Sequence, residues 1–273
     1  MDFGARSDTG RVRENNEDSF RLAPELNLFV LSDGMGGQAS GEVASRVATE
    51  SIVAHCREAE SDSSMPLVGG RIAGVSGAAN RLASAIRHAN DEVRKAAQEN
   101  PAWDGMGATV VAVRFAGERM SLAHVGDSRA YRLRAGELEQ LTQDHSFVAE
   151  QVRRGIMTPK EAEHSKLQNV LLRALGAEAI VDVDVQEELI LEGDTILLCS
   201  DGLTRDLSDA QIAAALNEGE DEQAQEAAER LVDLANQAGG GDNITAIVVR
   251  RTAKPVGAFA RIGRWFKGSE EAS

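Results

Sequence analysis

Apolar residues fall in short unbroken runs along this chain, and two of those runs end in an acid. Leu26-Asn27-Leu28-Phe29-Val30-Leu31 reads as a buried strand, and it delivers Ser32-Asp33-Gly34-Met35-Gly36-Gly37 at its end. The pattern returns far down the chain, where Thr195-Ile196-Leu197-Leu198-Cys199 runs into Ser200-Asp201-Gly202. Two strands that finish alike direct two carboxylates at one rim. Asp-Gly between apolar runs is also the strongest short-range hairpin signal, so each pair taken alone is a turn.

The remaining periodicity divides the chain cleanly. Residues 3–6 and 19–22 read as short strands around a polar loop, residues 7–18. Ala44, Ala48, Ile52 and Cys56, four apart, mark an amphipathic helix with Ser40 as its cap. Ala78, Leu82, Ile86, Ala89, Val93 and Ala97 mark a second helix, stopped by Pro101. Residues 109–115, 120–125 and 130–133 read as antiparallel neighbours joined by hairpin-length connections.

From 144 to 176 the pattern is helical but weakly apolar, and Thr158-Pro159-Lys160-Glu161 forms a capping box, so a small exposed subdomain is expected there. Helices over 208–217 and 222–238 and a strand over 244–249 follow. Hairpin-like strand groups and paired helices without β-α-β alternation predict one α+β domain, residues 1–251, with helices covering an antiparallel sheet. Residues 252–273 read as a basic and aromatic tail, first of all a mobile terminal extension, and otherwise a segment that would lie on an anionic membrane surface or dock on a partner.

Composition narrows the chemistry. The 29 basic and 44 acidic residues give a net charge of −15, which disfavours nucleic acid as partner and suits hard cations. Cys56 and Cys199 have no CxxC pairing and read as reduced core residues. No run is long enough for a leader or a membrane span, so a cytoplasmic protein is expected.

Asp18, Asp33, Asp127, Asp201 and Asp242 each lie at or beside a strand end, and one metal site can use them all. Carboxylates and carbonyls without cysteine favour Mg²⁺ or Mn²⁺ over zinc, and the five histidines show no ligand spacing. Two such cations would activate a shared water and neutralise a transferring phosphoryl group. Arg13, with its fork of donors, can hold the phosphate.

These residues carry a resemblance. Arg13-x-x-Asn16-Glu17-Asp18, Asp33-Gly34-Met35-Gly36-Gly37, Gly105-Met106-Gly107-Ala108-Thr109, Val125-Gly126-Asp127-Ser128-Arg129, Ser200-Asp201-Gly202 and Gly241-Asp242-Asn243-x-Thr245 resemble, in order, the motifs of the PP2C (PPM) family of metal-dependent protein serine/threonine phosphatases, in its bacterial branch. The resemblance implies an antiparallel β-sandwich flanked by helix pairs, with a flap subdomain at about 147–175. It implies that Asp33 and the Gly34 carbonyl bridge two metals, that Asp201 and Asp242 hold one of these, and that Asp18 reaches the other through water with Glu17 beside it. Many bacterial members hold a third metal, on residues matching Asp127 and Asp201.

It further implies Arg13 as the phosphate-binding residue, Mn²⁺ or Mg²⁺ as cofactor, phosphorylated proteins as substrates and a paired Ser/Thr kinase. A monomer is expected. Water would attack the phosphoserine or phosphothreonine directly, without a covalent intermediate. Gln38 stands where many bacterial relatives carry histidine, and glutamine cannot act as an acid.

Two rival readings remain. Cys199 and Arg205 have the Cys-x5-Arg spacing of tyrosine phosphatases, but Cys199 lies inside an apolar run and Asp201 would repel the phosphate. An inactive phosphatase-like binding domain would be expected to lack ligands, and Asp33, Asp201 and Asp242 are all present.

Overall fold

The protein is described here by a computed structural model covering residues 1–36, 40–218 and 223–252. Gln38 and tail residues 253–273 lie outside the described residues. Among the described residues eleven strands form two antiparallel sheets. The first sheet runs β1 (Asp2–Asp8), β11 (Ile244–Arg250), β10 (Thr195–Cys199), β7 (Arg129–Arg134), β8 (Glu137–Gln140). The second runs β2 (Asp18–Ala23), β3 (Leu28–Met35), β5 (Val110–Ala116), β6 (Arg119–Val125), β9 (Asp184–Leu189), with the two-residue β4 (Gly107–Ala108) beside β3.

The apolar runs are continuous because both faces of each central strand are covered. On β3, Phe29 and Leu31 face Ile196, Leu198, Ile247 and Val249 of the opposite sheet, while Leu28 and Val30 pack under the helices α1 (Ser40–Ser61) and α2 (Gly77–Glu99). On the other sheet, Leu197, Cys199, Ala246 and Val248 lie under α5 (Asp201–Asp206), α6 (Asp209–Asn217) and α7 (Ala224–Ala238). The result is a sandwich with a helix layer on each side, the α+β architecture expected from the sequence.

Local signals behave as their chemistry dictates. Ser76 caps α2 by accepting from the Ala79 amide at 3.2 Å. Thr158 and Glu161 close the expected capping box on α4 (Pro159–Glu163), which follows α3 (Phe147–Arg153). The segment carrying these two short helices is tied to the body at both ends, where Leu175 pairs with Ala108 and Ser146 with Leu171.

Three expectations are corrected. Asp33-Gly34 is not a turn: β3 continues through it to Met35, because Gly34 and Met35 pair with Ala108 and Gly107. Residues 120–125 and 130–133 are not neighbours: β6 pairs with β5 and β9, whereas β7 pairs with β10 and β8 in the other sheet. Gly126-Asp127-Ser128 is therefore a crossing between sheets, made at Gly126 with φ of 104°. Ser40 is the first residue of α1 instead of its cap. Among the described residues no helix is long and apolar enough to cross a membrane.

Candidate metal centre

One end of the sandwich gathers the acids. Asp18 opens β2 directly opposite Asp33 on β3, and Asp201 begins α5 just after β10. Asp242 lies two residues before β11, and Asp127 sits on the crossing between β6 and β7. Antiparallel pairing puts the end of one strand beside the start of the next, so five positions scattered over most of the chain meet at one rim.

Hydroxyls and amides hold this rim in place. The Asp33 amide donates to Thr109 Oγ1 at 3.0 Å, the Thr109 amide donates back to the Asp33 carbonyl at 2.8 Å, and Thr109 Oγ1 bonds Ser128 Oγ at 2.7 Å. Asp18 Oδ2 accepts from Ser200 Oγ at 2.8 Å and Thr245 Oγ1 at 2.6 Å. Gly34 is required for close approach, since a Cβ there would lie 1.9 Å from the Gly41 carbonyl oxygen. Its amide donates to the Glu17 carbonyl at 3.0 Å, which fixes Glu17 beside the cluster.

The carboxyls of the cluster crowd one another out of water. Withdrawal from water, then the charges of Asp18, Asp201, Asp127 and Asp242, push the Asp33 carboxyl well above the usual range. Asp18 is pushed up to about 7 by desolvation and then by Asp201 and Asp242. Asp127 also rises to about 7, through desolvation and then Asp201 and Asp144, with Arg205 opposing. Asp201 is raised by desolvation and by Asp242. Asp18 Oδ1 is buried and has no hydrogen-bond partner in the protein. Carboxylates forced together, one with an orphaned oxygen, form an all-oxygen donor set that suits Mg²⁺ or Mn²⁺.

Arginines border the set. Arg13 grips Asp242 through Nε and Nη2, each at 2.9 Å, and its side chain remains half exposed. Arg205, one turn after Asp201 on α5, contacts Asp201, donates to Asp242 Oδ2 at 2.7 Å and reaches Asn169 Oδ1 at 3.1 Å. Its position in the cluster follows from helical spacing on a six-residue helix, too short to show in the sequence pattern.

Asn243 was visible only as part of a motif, and its role is now specific. Its Oδ1 accepts from the Glu17 amide at 2.8 Å, and its Nδ2 donates to the Thr9 and Asn15 carbonyls, both at 2.9 Å. It thus fastens the loop that carries Arg13. The rival thiol chemistry fails here, because Cys199 is fully buried and its thiol is pushed up to about 12 by desolvation.

Asp144 and His145, on the loop after β8, lie next to Gly126 and Asp127. Asp144 is bound by Arg129, with Nη2 at 2.7 Å from Oδ2. His145 Nδ1 accepts from the Gly126 amide at 3.1 Å, and its Nε2 lies 3.2 Å from Asp184. Sequence spacing gave the histidines no ligand pattern, yet His124, His145 and Asp184 come within 4.8 Å of one another. Arg173 already supplies positive charge there, 2.7 Å from Asp184.

A cavity of 280 Å³ opens where β3 ends and β4 begins, lined by Met35, Arg94, Gln98, Asp104, Met106 and Ala177 among others.

Residues 10–236 match the family described as protein phosphatase 2C. The serine/threonine protein phosphatase PstP of Mycobacterium tuberculosis is 40% identical over 246 residues, which is 90% of this chain and 44% of that protein. The serine/threonine phosphatase stp of Listeria innocua is 35% identical over 258 residues, covering 93% of this chain and 98% of that protein. A crystal structure of the PstP catalytic domain in complex with two manganese ions superimposes with a TM-score of 0.74 at 39% identity, covering 92% of this chain and 98% of that one. This chain, which spans less than half of the mycobacterial relative, belongs to the protein phosphatase 2C family.

Proposed function

We propose that this chain hydrolyses phosphoserine and phosphothreonine esters in proteins with two divalent cations, Mn²⁺ or Mg²⁺. The observation that carries this reading is the convergence of five aspartates on one rim, where Asp18 keeps a buried oxygen without a partner. Asp33, the Gly34 carbonyl, Asp201 and Asp242 would hold the ions, with Asp18 in their surroundings. The similar catalytic domain crystallised with two manganese ions supports that count. When bound, such ions supply an activated water and neutralise the charge of the transferring phosphoryl group.

The protein's own groups do the rest. Arg13 presents a planar fork at the rim, matched to two phosphate oxygens, and Asn243 keeps its loop in register. Thr109, Ser200 and Thr245 fix the acids by hydrogen bonds, so little reorganisation accompanies the reaction. The segment 147–175 is the flap. It carries exposed Ile156, Leu167 and Leu172 for contact with a substrate protein, and it meets the site through Asn169. The cavity beside Met35, with Arg94 and Asp104 in its wall, suits residues flanking the phosphorylated one. Residues 1–251 form the catalytic domain, a monomer in the cytoplasm that opposes a Ser/Thr kinase, and the tail from 252 is the part that would touch a membrane.

Activity on a phosphothreonine peptide with Mn²⁺ tests this. Asp201→Asn or Asp242→Asn is expected to lower it more than about a hundredfold. Retained activity in either variant would sink the two-metal assignment. If the unaltered chain released no phosphate, the inactive binding domain would be the better reading.

A further inference from the structure

His145 is buried, and each of its polar groups is engaged. Its amide donates to the Gly126 carbonyl at 2.9 Å, and its ring Nδ1 accepts from the Gly126 amide at 3.1 Å. An amide can only donate, so Nδ1 carries the lone pair and the ring proton lies on Nε2, which faces Asp184 Oδ2 at 3.2 Å. Arg173 donates to the other oxygen of Asp184 at 2.7 Å, and the Leu172 amide donates to the His145 carbonyl at 2.7 Å. His124 stacks on the ring with centroids 4.7 Å apart. With both ring nitrogens of His145 occupied, the trio of His124, His145 and Asp184 leaves no lone pair on that ring for an ion. The histidine serves its neighbours instead.

We propose that His145 is a positioning residue for the acid rim: by holding both the amide and the carbonyl of Gly126 it sets the crossing that carries Asp127 and Ser128, and through Ser128 and Thr109 it sets the backbone of Asp33. This rests on the reading that the acids hold divalent ions. Gly126 is where the chain passes from one sheet to the other, at a φ of 104°, and a Cβ there would lie 2.6 Å from the Cβ of Thr109. Ser128 Oγ bonds Thr109 Oγ1 at 2.7 Å, and Thr109 Oγ1 accepts from the Asp33 amide at 3.0 Å. A continuous series of hydrogen bonds and packed backbone therefore runs from the imidazole to the acid at the end of β3. Arg129 binds Asp144 just beyond the crossing, with Nη2 at 2.7 Å from Oδ2, so the crossing and the loop that carries His145 are joined at two places. Groups that orient metal-holding side chains from one step further out commonly decide affinity as strongly as a ligand does. The bonds from Leu172 and Arg173 bring the end of the flap segment to the same histidine.

Two substitutions of similar size separate this role from simple packing. His145→Asn places an amide oxygen near the position of Nδ1 and can still accept from Gly126, whereas the longer His145→Gln places its amide near Nε2 and leaves Gly126 without an acceptor. Both lose the ring that stacks on His124, so a packing role would move them together. Mn²⁺ is titrated calorimetrically into the whole chain and the two variants, and exchange of the Gly126 amide is followed by nuclear magnetic resonance. His145→Asn should bind Mn²⁺ within about threefold of the unaltered chain and keep the Gly126 amide protected, while His145→Gln should bind about tenfold or more weakly and lose that protection. Equal Mn²⁺ affinities in the two variants overturn the inference and leave the phosphatase reading intact. The nitrogen resonances of the unaltered chain give a test that needs no variant: a proton on His145 Nδ1 in the folded protein also overturns it. An unaltered chain that binds no Mn²⁺ overturns both.

Discussion

Asp18 shows how much one side chain can report. Its Oδ2 is saturated by Ser200 and Thr245, while its Oδ1 is buried without a partner. Asp18→Asn removes the charge and leaves the shape. It should leave the metal-free protein at least as stable in a thermal melt, yet weaken Mn²⁺ binding about tenfold or more by calorimetry. Cys199 makes a second test at this scale: with its thiol pushed up to about 12 inside the core, it should resist a thiol reagent in the native state and react on unfolding. The acids and Arg13 were legible because their motifs carry distinctive spacing. Arg205 and Asn243 were not, because what they do is made of contacts to Asp242, Asn169 and Thr9, distant in sequence.

Among the elements, strength of signal tracked coverage by neighbours. β3, β5, β10 and β11 are buried on both faces and announce themselves as apolar runs. β8 and β9 lie at sheet edges with partly exposed sequences, Glu-Leu-Glu-Gln and Asp-Val-Gln-Glu-Glu-Leu, and gave no run to read. The turn expected at Asp33-Gly34 was displaced by pairing with β4, a partner more than 70 residues away that no local pattern reveals. That pairing has a consequence for substitution. In Gly34→Ala the new methyl would meet the Gly41 carbonyl of α1, which is backbone and cannot swing aside. Both the melting temperature and the Mn²⁺-dependent rate should fall, the second even where the protein remains folded. At the interface of the two sheets, Phe29→Ala should cost about 3–5 kcal/mol in a denaturant titration, since the ring is fully buried against both sheets.

For the whole molecule, the crowded acids make stability depend on pH in an unusual sense. Asp18 and Asp127 are raised from 3.8 to about 7 in the folded state. Between those values the folded protein retains protons that the unfolded chain has released, so metal-free stability must fall as pH rises through the window. In a chelator the melting temperature should be higher at pH 5.5 than at pH 8. Mn²⁺ should reverse the order, because it binds the charged carboxylates and only the folded state assembles them. A metal-free protein that melts higher at pH 8 would show that other groups dominate.

The hydroxyl of Thr245 that fixes Asp18 lies 227 residues further along the chain, and Asn243 closes the loop of Arg13 from the same late segment. During synthesis at roughly 5–20 residues per second, the first acid waits on the order of ten seconds or more for its partners to emerge. Until Asp242, Asn243 and Thr245 have emerged, the nascent chain has no assembled acid set, and Asp18 lacks one of the two hydroxyls that fix it. With Asp242 and Asn243 just before β11 and Thr245 within it, synthesis of that segment is the event that completes the acid set.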